Sequence, residues 1–173
     1  MIRNRKRNRL EGYDYTRPGY YFVTICANNR IEWFGKINNG KMELNESGQI
    51  VQQQWQWLKH QYTYVNLDEF MVMPNHIHGI LILNNYVGNG RDRSVHDRSL
   101  HDRSVRVKSI PSLIGAFKTT SSKLIHQNNL PEFKWQKSFY DHIIRNDESL
   151  KNIREYIVSN PANWLKDEEN INK

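Results

Sequence analysis

The stretch FMVMPNHIHGILIL, residues 70–83, decides the fold because it joins two extended segments through a tight turn. Pro74 and Asn75 are a strong turn signal, so the chain reverses between a strand over 67–73 and a strand over 76–83. The second strand is a long apolar run, which is typical of a buried strand. The sequence therefore predicts an antiparallel pair at the centre of a sheet.

The neighbouring segments alternate between strand and helix patterns. The predicted strands are 20–27, a hairpin over 31–45 that turns at 38–40, and 139–145. The predicted helices are 47–60, 112–127 and 147–160, the last ended by Pro161. With the hairpin set aside, this order predicts an α+β fold of the ferredoxin-like or RRM-like type. Such a fold has an antiparallel sheet with helices on one face.

The 173 residues suit one domain. We expect a flexible basic arm over 1–12, a single domain over 13–166 and a polar tail over 167–173. Residues 84–108 contain the repeats RDRSV, HDRSL and HDRSV. Because a five-residue period matches neither helix nor strand, this segment is predicted to be a flexible insert.

The formal net charge of +7 favours an anionic partner, with nucleic acid first, although many soluble proteins are mildly basic. The single cysteine, Cys26, excludes an intrachain disulfide and a multi-cysteine metal site. No run is apolar enough for a signal core or a membrane span. We therefore expect a cytoplasmic protein with no membrane partner.

Two histidines stand two residues apart at the start of the apolar strand. Side chains alternate along a strand, so His76 and His78 project together while Ile77 faces the other way. Two imidazoles so placed can share one ion, for which Mn, Fe, Co, Ni or Zn is better suited than Mg. The alternative is a structural pair, but polar rings on an apolar strand still need a partner.

The third helix offers such partners. Tyr156 and Asn160 are four residues apart and share one helical face. The Asn160 side-chain oxygen could complete a three-residue metal site with Tyr156 one turn away. Alternatively, Tyr156 is a core aromatic with a solvated hydroxyl, and Asn160 ends the helix before Pro161.

Three blocks carry a family resemblance: MPNHIHG at 73–79, WQKSFYDHIIR at 135–145 and EYIVSNP at 155–161. They resemble the single-tyrosine HUH transposases of small insertion sequences, most closely the REP-associated tyrosine transposases. The resemblance implies that His76, His78 and Asn160 bind Mg²⁺ or Mn²⁺ and that Tyr156, on the C-terminal helix, attacks DNA. The expected product is a 5′-phosphotyrosine.

The expected partner is single-stranded or hairpin DNA, and a homodimer is possible because mobile relatives share active sites between subunits. Basic side chains are predicted to contact the DNA backbone, although each could equally be a solvated charge. These residues are Arg3, Arg5, Lys6, Arg7, Arg9, Lys118 and Lys123. Two other functions stay open: a non-catalytic ferredoxin-like nucleic-acid-binding module, and a hydrolase of small phosphoesters with His76 and His78 as acid and base.

Overall fold

The computed structural model describes residues 9–85, 106–167 and 169–170. Its strands are β1 (Gly19–Cys26), β2 (Gly35–Asn38), β3 (Lys41–Leu44), β4 (Val65–Val72), β5 (His76–Leu83) and β6 (Tyr140–Ile144). Its helices are α1 (Glu46–Gln61), α2 (Ile110–Gln127) and α3 (Asp147–Ser159), with short 3₁₀ segments at Asn28–Arg30 and Pro161–Lys166. Each strand and helix of the sequence prediction thus has its counterpart.

The main sheet has four strands in the order β4-β5-β1-β6, and every neighbouring pair is antiparallel. The β4–β5 pair is the one predicted across Pro74 and Asn75. The β2–β3 hairpin forms a separate sheet, and its turn residues Asn39 and Gly40 both have positive φ, as a tight hairpin turn requires. The predicted α+β fold class, an antiparallel sheet with helices packed on it, is confirmed.

Helices cover both faces of this sheet. Along β1, Tyr21, Val23 and Ile25 enter the larger core with residues of α1 and α2. Phe22 points the other way and packs with Leu150 of α3 in a second core. The prediction of helices on one face therefore holds for α1 and α2, whereas α3 covers the opposite face. The physical reason is that β1 and β5 carry apolar residues on both sides, and both sides must be covered.

Three predicted segments lie largely outside the described residues. They are the arm over 1–12, of which 9–12 are described, the insert over 84–108, of which 84–85 and 106–108 are described, and the tail over 167–173, of which 167, 169 and 170 are described. These domain boundaries stay predictions. In the described part of the chain, no helix has the length and apolarity to cross a membrane.

A bidentate ion pair fastens α3 to β4. The Arg154 Nε and Nη2 atoms donate hydrogen bonds to Asp68 Oδ1 at 2.9 Å and Oδ2 at 2.6 Å. These bonds lower the pKa of the Asp68 carboxyl below its ordinary value of 3.8. The pair thus helps to hold the helix that carries Tyr156 against the sheet.

Arg154→Gln is expected to lower the free energy of unfolding near neutral pH by about 1 kcal/mol, a modest value because the arginine is 43% exposed. The pair's contribution is present above the unfolded carboxyl's pKa and is lost as the pH falls through the lower folded value. Urea unfolding should therefore separate variant and wild type at neutral pH and not in strong acid. Lys151→Gln, which breaks the exposed 4.0 Å pair with Glu155, is the control and should change little. An equal loss in both variants would contradict the prediction.

Candidate active site

The two histidine rings meet at one point on the α3 face of the sheet. His76 and His78 are both buried, and their Nε2 atoms lie 2.9 Å apart. Ile77 between them belongs to the opposite core. Side chains alternate between the two faces of β5, so the imidazole rings of His76 and His78 lie on the same face with their Nε2 atoms close together, as the spacing predicts.

Asn75 fixes the orientation of His76. The His76 Nδ1 atom is 2.8 Å from Asn75 Oδ1. Because an amide oxygen only accepts, Nδ1 carries the proton and Nε2 keeps its lone pair. Asn75 is held in turn by its Nδ2 group, which donates to the carbonyl oxygens of Arg30 at 3.0 Å and Glu169 at 2.9 Å.

Thr24 on β1 orients the His78 ring, with Oγ1 placed 2.9 Å from Nδ1. Burial lowers the pKa of His78 to about 4. Burial, and then the neighbouring His78, lowers the pKa of His76 well below its ordinary value. Both rings are therefore neutral near pH 7, the form in which imidazole binds a metal.

Asn160 brings an oxygen to the same region. Its side chain is only 3% exposed, and its Oδ1 atom has no hydrogen-bond partner among the described residues. A buried carbonyl oxygen left unsatisfied costs free energy, which a bound cation would recover. Asn160 lines one cavity together with His78 and Tyr156. Asn160 is also the C-cap residue of α3, so it ends the helix and presents a buried side-chain oxygen at the same position.

Asp167 is not among the residues predicted from the sequence, which placed it in a polar tail. A carboxylate oxygen of Asp167 lies within 4.8 Å of the ligand atoms of His76 and His78. The 3₁₀ segment Pro161–Lys166 carries the chain from the end of α3 back to the histidines. The sequence signal for Asp167 is only that an acidic residue follows the third helix. Its distance from the helix along the chain does not predict where its carboxylate lies.

Tyr156 presents its hydroxyl to the histidines. Its Oη atom is 3.3 Å from His78 Nε2, and its ring packs edge-on against Phe22 at 6.1 Å between centroids. The residue is nevertheless 46% exposed. Its side chain lines a cavity of about 530 Å³, which Tyr140 also lines. The ring is thus anchored on one side, while the side chain as a whole remains about half exposed in the cavity.

The predicted DNA contacts are only partly described. Arg3, Arg5, Lys6 and Arg7 lie outside the described residues. Arg9 and Lys118 line a common cleft, whereas Lys123 is exposed on α2 and is not among the residues lining that cleft. The structure therefore brings together two of these predicted contacts, which are far apart in the sequence.

Comparison with known proteins identifies one relative that covers nearly the whole chain. No protein-family model matches it. An uncharacterized protein of Haemophilus influenzae is 34% identical over 168 residues, which are 96% of this chain and 93% of the relative. The chain belongs to the family of this Haemophilus protein.

A solved structure has a similar fold. A REP-associated tyrosine transposase bound to a REP hairpin superposes with a TM-score of 0.56 and 22% identity, over 88% of this chain and 72% of that one. At this identity the likeness concerns the fold, and function must be argued from the site. The fold likeness agrees with the resemblance carried by the three sequence blocks.

Proposed function

We propose that this protein cuts and rejoins single-stranded or hairpin DNA by transesterification, with Tyr156 as the nucleophile and a divalent metal ion held by His76 and His78. One observation carries the proposal. The Tyr156 hydroxyl lies 3.3 Å from His78 Nε2, where the two imidazole Nε2 atoms converge. The proposed nucleophile and His78 thus line one cavity, and the Nε2 atom of the fully buried His76 lies directly behind His78.

The residues present fit a divalent cation. Two neutral imidazole nitrogens, the unsatisfied Oδ1 of Asn160 and the nearby carboxylate of Asp167 make a mixed nitrogen and oxygen donor set. Such a set suits Mn²⁺, and it suits Mg²⁺ when phosphate oxygens and waters complete the shell. When bound, the cation would polarise the scissile phosphate and stabilise the charge that develops on its oxygens.

Tyr156 performs the covalent step. Its Oη atom attacks the phosphorus and forms a phosphotyrosine bond while the bond from phosphorus to O3′ breaks. A phenol has an ordinary pKa of about 10, so its proton must leave to solvent during attack, and the departing O3′ takes up a proton from solvent. One phosphodiester replaces another, so a 3′-hydroxyl can reverse the step without a nucleotide cofactor.

The packing of α3 prepares this attack. Phe22 and His78 contact the Tyr156 ring edge-on, at 6.1 and 5.1 Å between centroids, which limits its orientation. Fixing a nucleophile near its target removes part of the entropic barrier. All the proposed groups come from one chain, so cleavage does not require the shared active site of a homodimer.

The fold likeness supports hairpin DNA as the substrate to try first. The similar solved structure contains a REP hairpin, and we extend that ligand class to this chain as part of the proposal. The net charge of +7 agrees with a DNA partner.

The direct test is a search for a protein–DNA adduct. The wild-type protein is incubated with Mn²⁺ and a 3′-labelled DNA hairpin with single-stranded flanks, and the products are run on a denaturing gel. The expected result is label that migrates with the protein and disappears with protease or a metal chelator. Binding without cleavage would instead favour the non-catalytic module. Cut DNA with a free 5′-phosphate and no linked protein would contradict Tyr156 as the nucleophile.

A further inference from the structure

A large open cleft lies beside the first turns of α2, and the proposed chemistry does not use it. It has a volume of about 1060 Å³, and it runs between α2, residues 28–30 and residues 136–139. Four cations line it, and none of its described lining residues is acidic. They are Arg9, Arg30, Lys118 and Lys137. We name this feature the α2 cleft.

Lys118 is fixed in the wall of the α2 cleft. Its Nζ atom donates hydrogen bonds to the carbonyl oxygens of Gln136 at 2.8 Å and Ser138 at 2.9 Å. An ammonium group has three donors, so these two bonds leave one for a ligand. Burial and, to a smaller extent, the nearby Arg9 lower the pKa of Lys118, which is about 8. Both effects oppose the charged form, and both would be relieved by a bound anion.

Arg9 is held at the same place. Its guanidinium lies 4.4 Å from the centre of the Phe139 ring, and Lys118 Nζ lies 5.6 Å from that ring. The guanidinium also lies 3.8 Å from the buried carboxylate of Asp141, on β6. These contacts position two cations near each other, an arrangement suited to a polyanion.

The α2 cleft and the active-site cavity share a wall. Arg30 lines the cleft, and its Nε atom is 2.8 Å from Glu169 Oε2. Glu169 lines the cavity that contains Tyr156, and Asn75 bonds to both Arg30 and Glu169 through their backbone carbonyls. The cleft and the cavity are therefore neighbours on either side of the Arg30–Glu169 ion pair.

From these contacts we infer that the α2 cleft binds the phosphodiester backbone of the single-stranded DNA segment next to the cleaved phosphate. The inference rests on the proposed function. Fixed cations bind backbone phosphates without reading the base sequence, and polar side chains such as Asn28 and Asn29 add hydrogen-bonding groups. The cleft would thus hold the strand while Tyr156 acts on it.

The test compares Arg9→Gln/Lys137→Gln with the matched control Lys59→Gln, an exposed lysine on α1. Affinity is measured for a DNA hairpin with and without a single-stranded flank, over a range of salt concentrations. The double variant should bind the flanked hairpin on the order of 10-fold more weakly. The slope of log affinity against log salt should fall by about 0.7 for each lost phosphate contact. Lys59→Gln should bind the flanked hairpin with wild-type affinity and salt slope. On the unflanked hairpin, the double variant and Lys59→Gln should both bind with wild-type affinity.

The outcomes separate the cleft from the proposed function. Equal affinity and salt slope in wild type and the double variant, with a wild-type adduct present, would overturn the α2 cleft as a DNA site and leave the chemistry standing. A weaker double variant, with no adduct from any protein, would support the cleft and overturn the proposed function. Urea unfolding curves are recorded for wild type and both variants. Matching curves show that a change in DNA affinity is not caused by misfolding.

Discussion

Tyr156→Phe is expected to abolish the covalent protein–DNA product, a loss on the order of 10³-fold or more, while DNA affinity stays within about two-fold of wild type. The substitution removes only the hydroxyl, 3.3 Å from His78 Nε2. The ring contacts with Phe22 and His78 can remain, so the position of α3 should not change. Adduct formation on a denaturing gel and DNA binding by anisotropy measure the two effects separately.

Tyr140→Phe is the matched control. Tyr140 is 53% exposed, lines the same cavity and packs edge-on against Phe22 at 6.3 Å between centroids. It is therefore the neighbouring phenol that could compete as a nucleophile. We expect Tyr140→Phe to keep the adduct. If the adduct persists in Tyr156→Phe and disappears in Tyr140→Phe, the nucleophile is Tyr140 on β6 and not Tyr156.

His76→Ala is expected to weaken Mn²⁺ binding on the order of 100-fold and to remove metal-dependent cleavage. The reason is that one of the two converging Nε2 atoms is lost, and Asn75 loses the ring that it orients. The hydrogen bond between Tyr156 and His78 does not involve His76. A loss of cleavage would therefore report on the metal site and not on the position of the nucleophile.

Thermal unfolding gives a readout of this site that does not depend on activity. A ligand that binds only the folded state raises the melting temperature with its concentration, so Mn²⁺ should stabilise the wild type and not His76→Ala. Asn163→Ala, at an exposed position of the same cavity, should respond to Mn²⁺ like the wild type. An undiminished Mn²⁺ response in His76→Ala would place the metal elsewhere. Metal-independent cleavage in wild type would favour acid–base hydrolysis.

The sequence could predict those parts of the candidate site that follow from regular periodicity. Alternation along β5 places His76 and His78 on one side, and the four-residue spacing places Tyr156 and Asn160 on one helical face. Asp167 could not be predicted, because its position depends on the irregular return of the chain through Pro161–Lys166. Local patterns give no rule for such a return.

The fold was predictable to a similar degree. The order of strands and helices identifies the α+β class, since each element has its own period of apolar residues. Which face each helix covers could not be predicted, because β1 and β5 are apolar on both faces and can accept a helix on either. The α2 cleft joins Arg9 to Lys118 and Lys137, which only the tertiary fold brings together.

Mapping the DNA-linked peptide tests the central claim most directly. After adduct formation with Mn²⁺, nuclease trimming and trypsin digestion, mass spectrometry locates the residual nucleotide. Cleavage after Arg154 and Lys166 releases EYIVSNPANWLK, in which Tyr156 is the sole tyrosine. We expect this peptide to carry a nucleotide through a 5′-phosphate on Tyr156. A nucleotide on any other residue, or cut DNA with no modified peptide, would contradict the account.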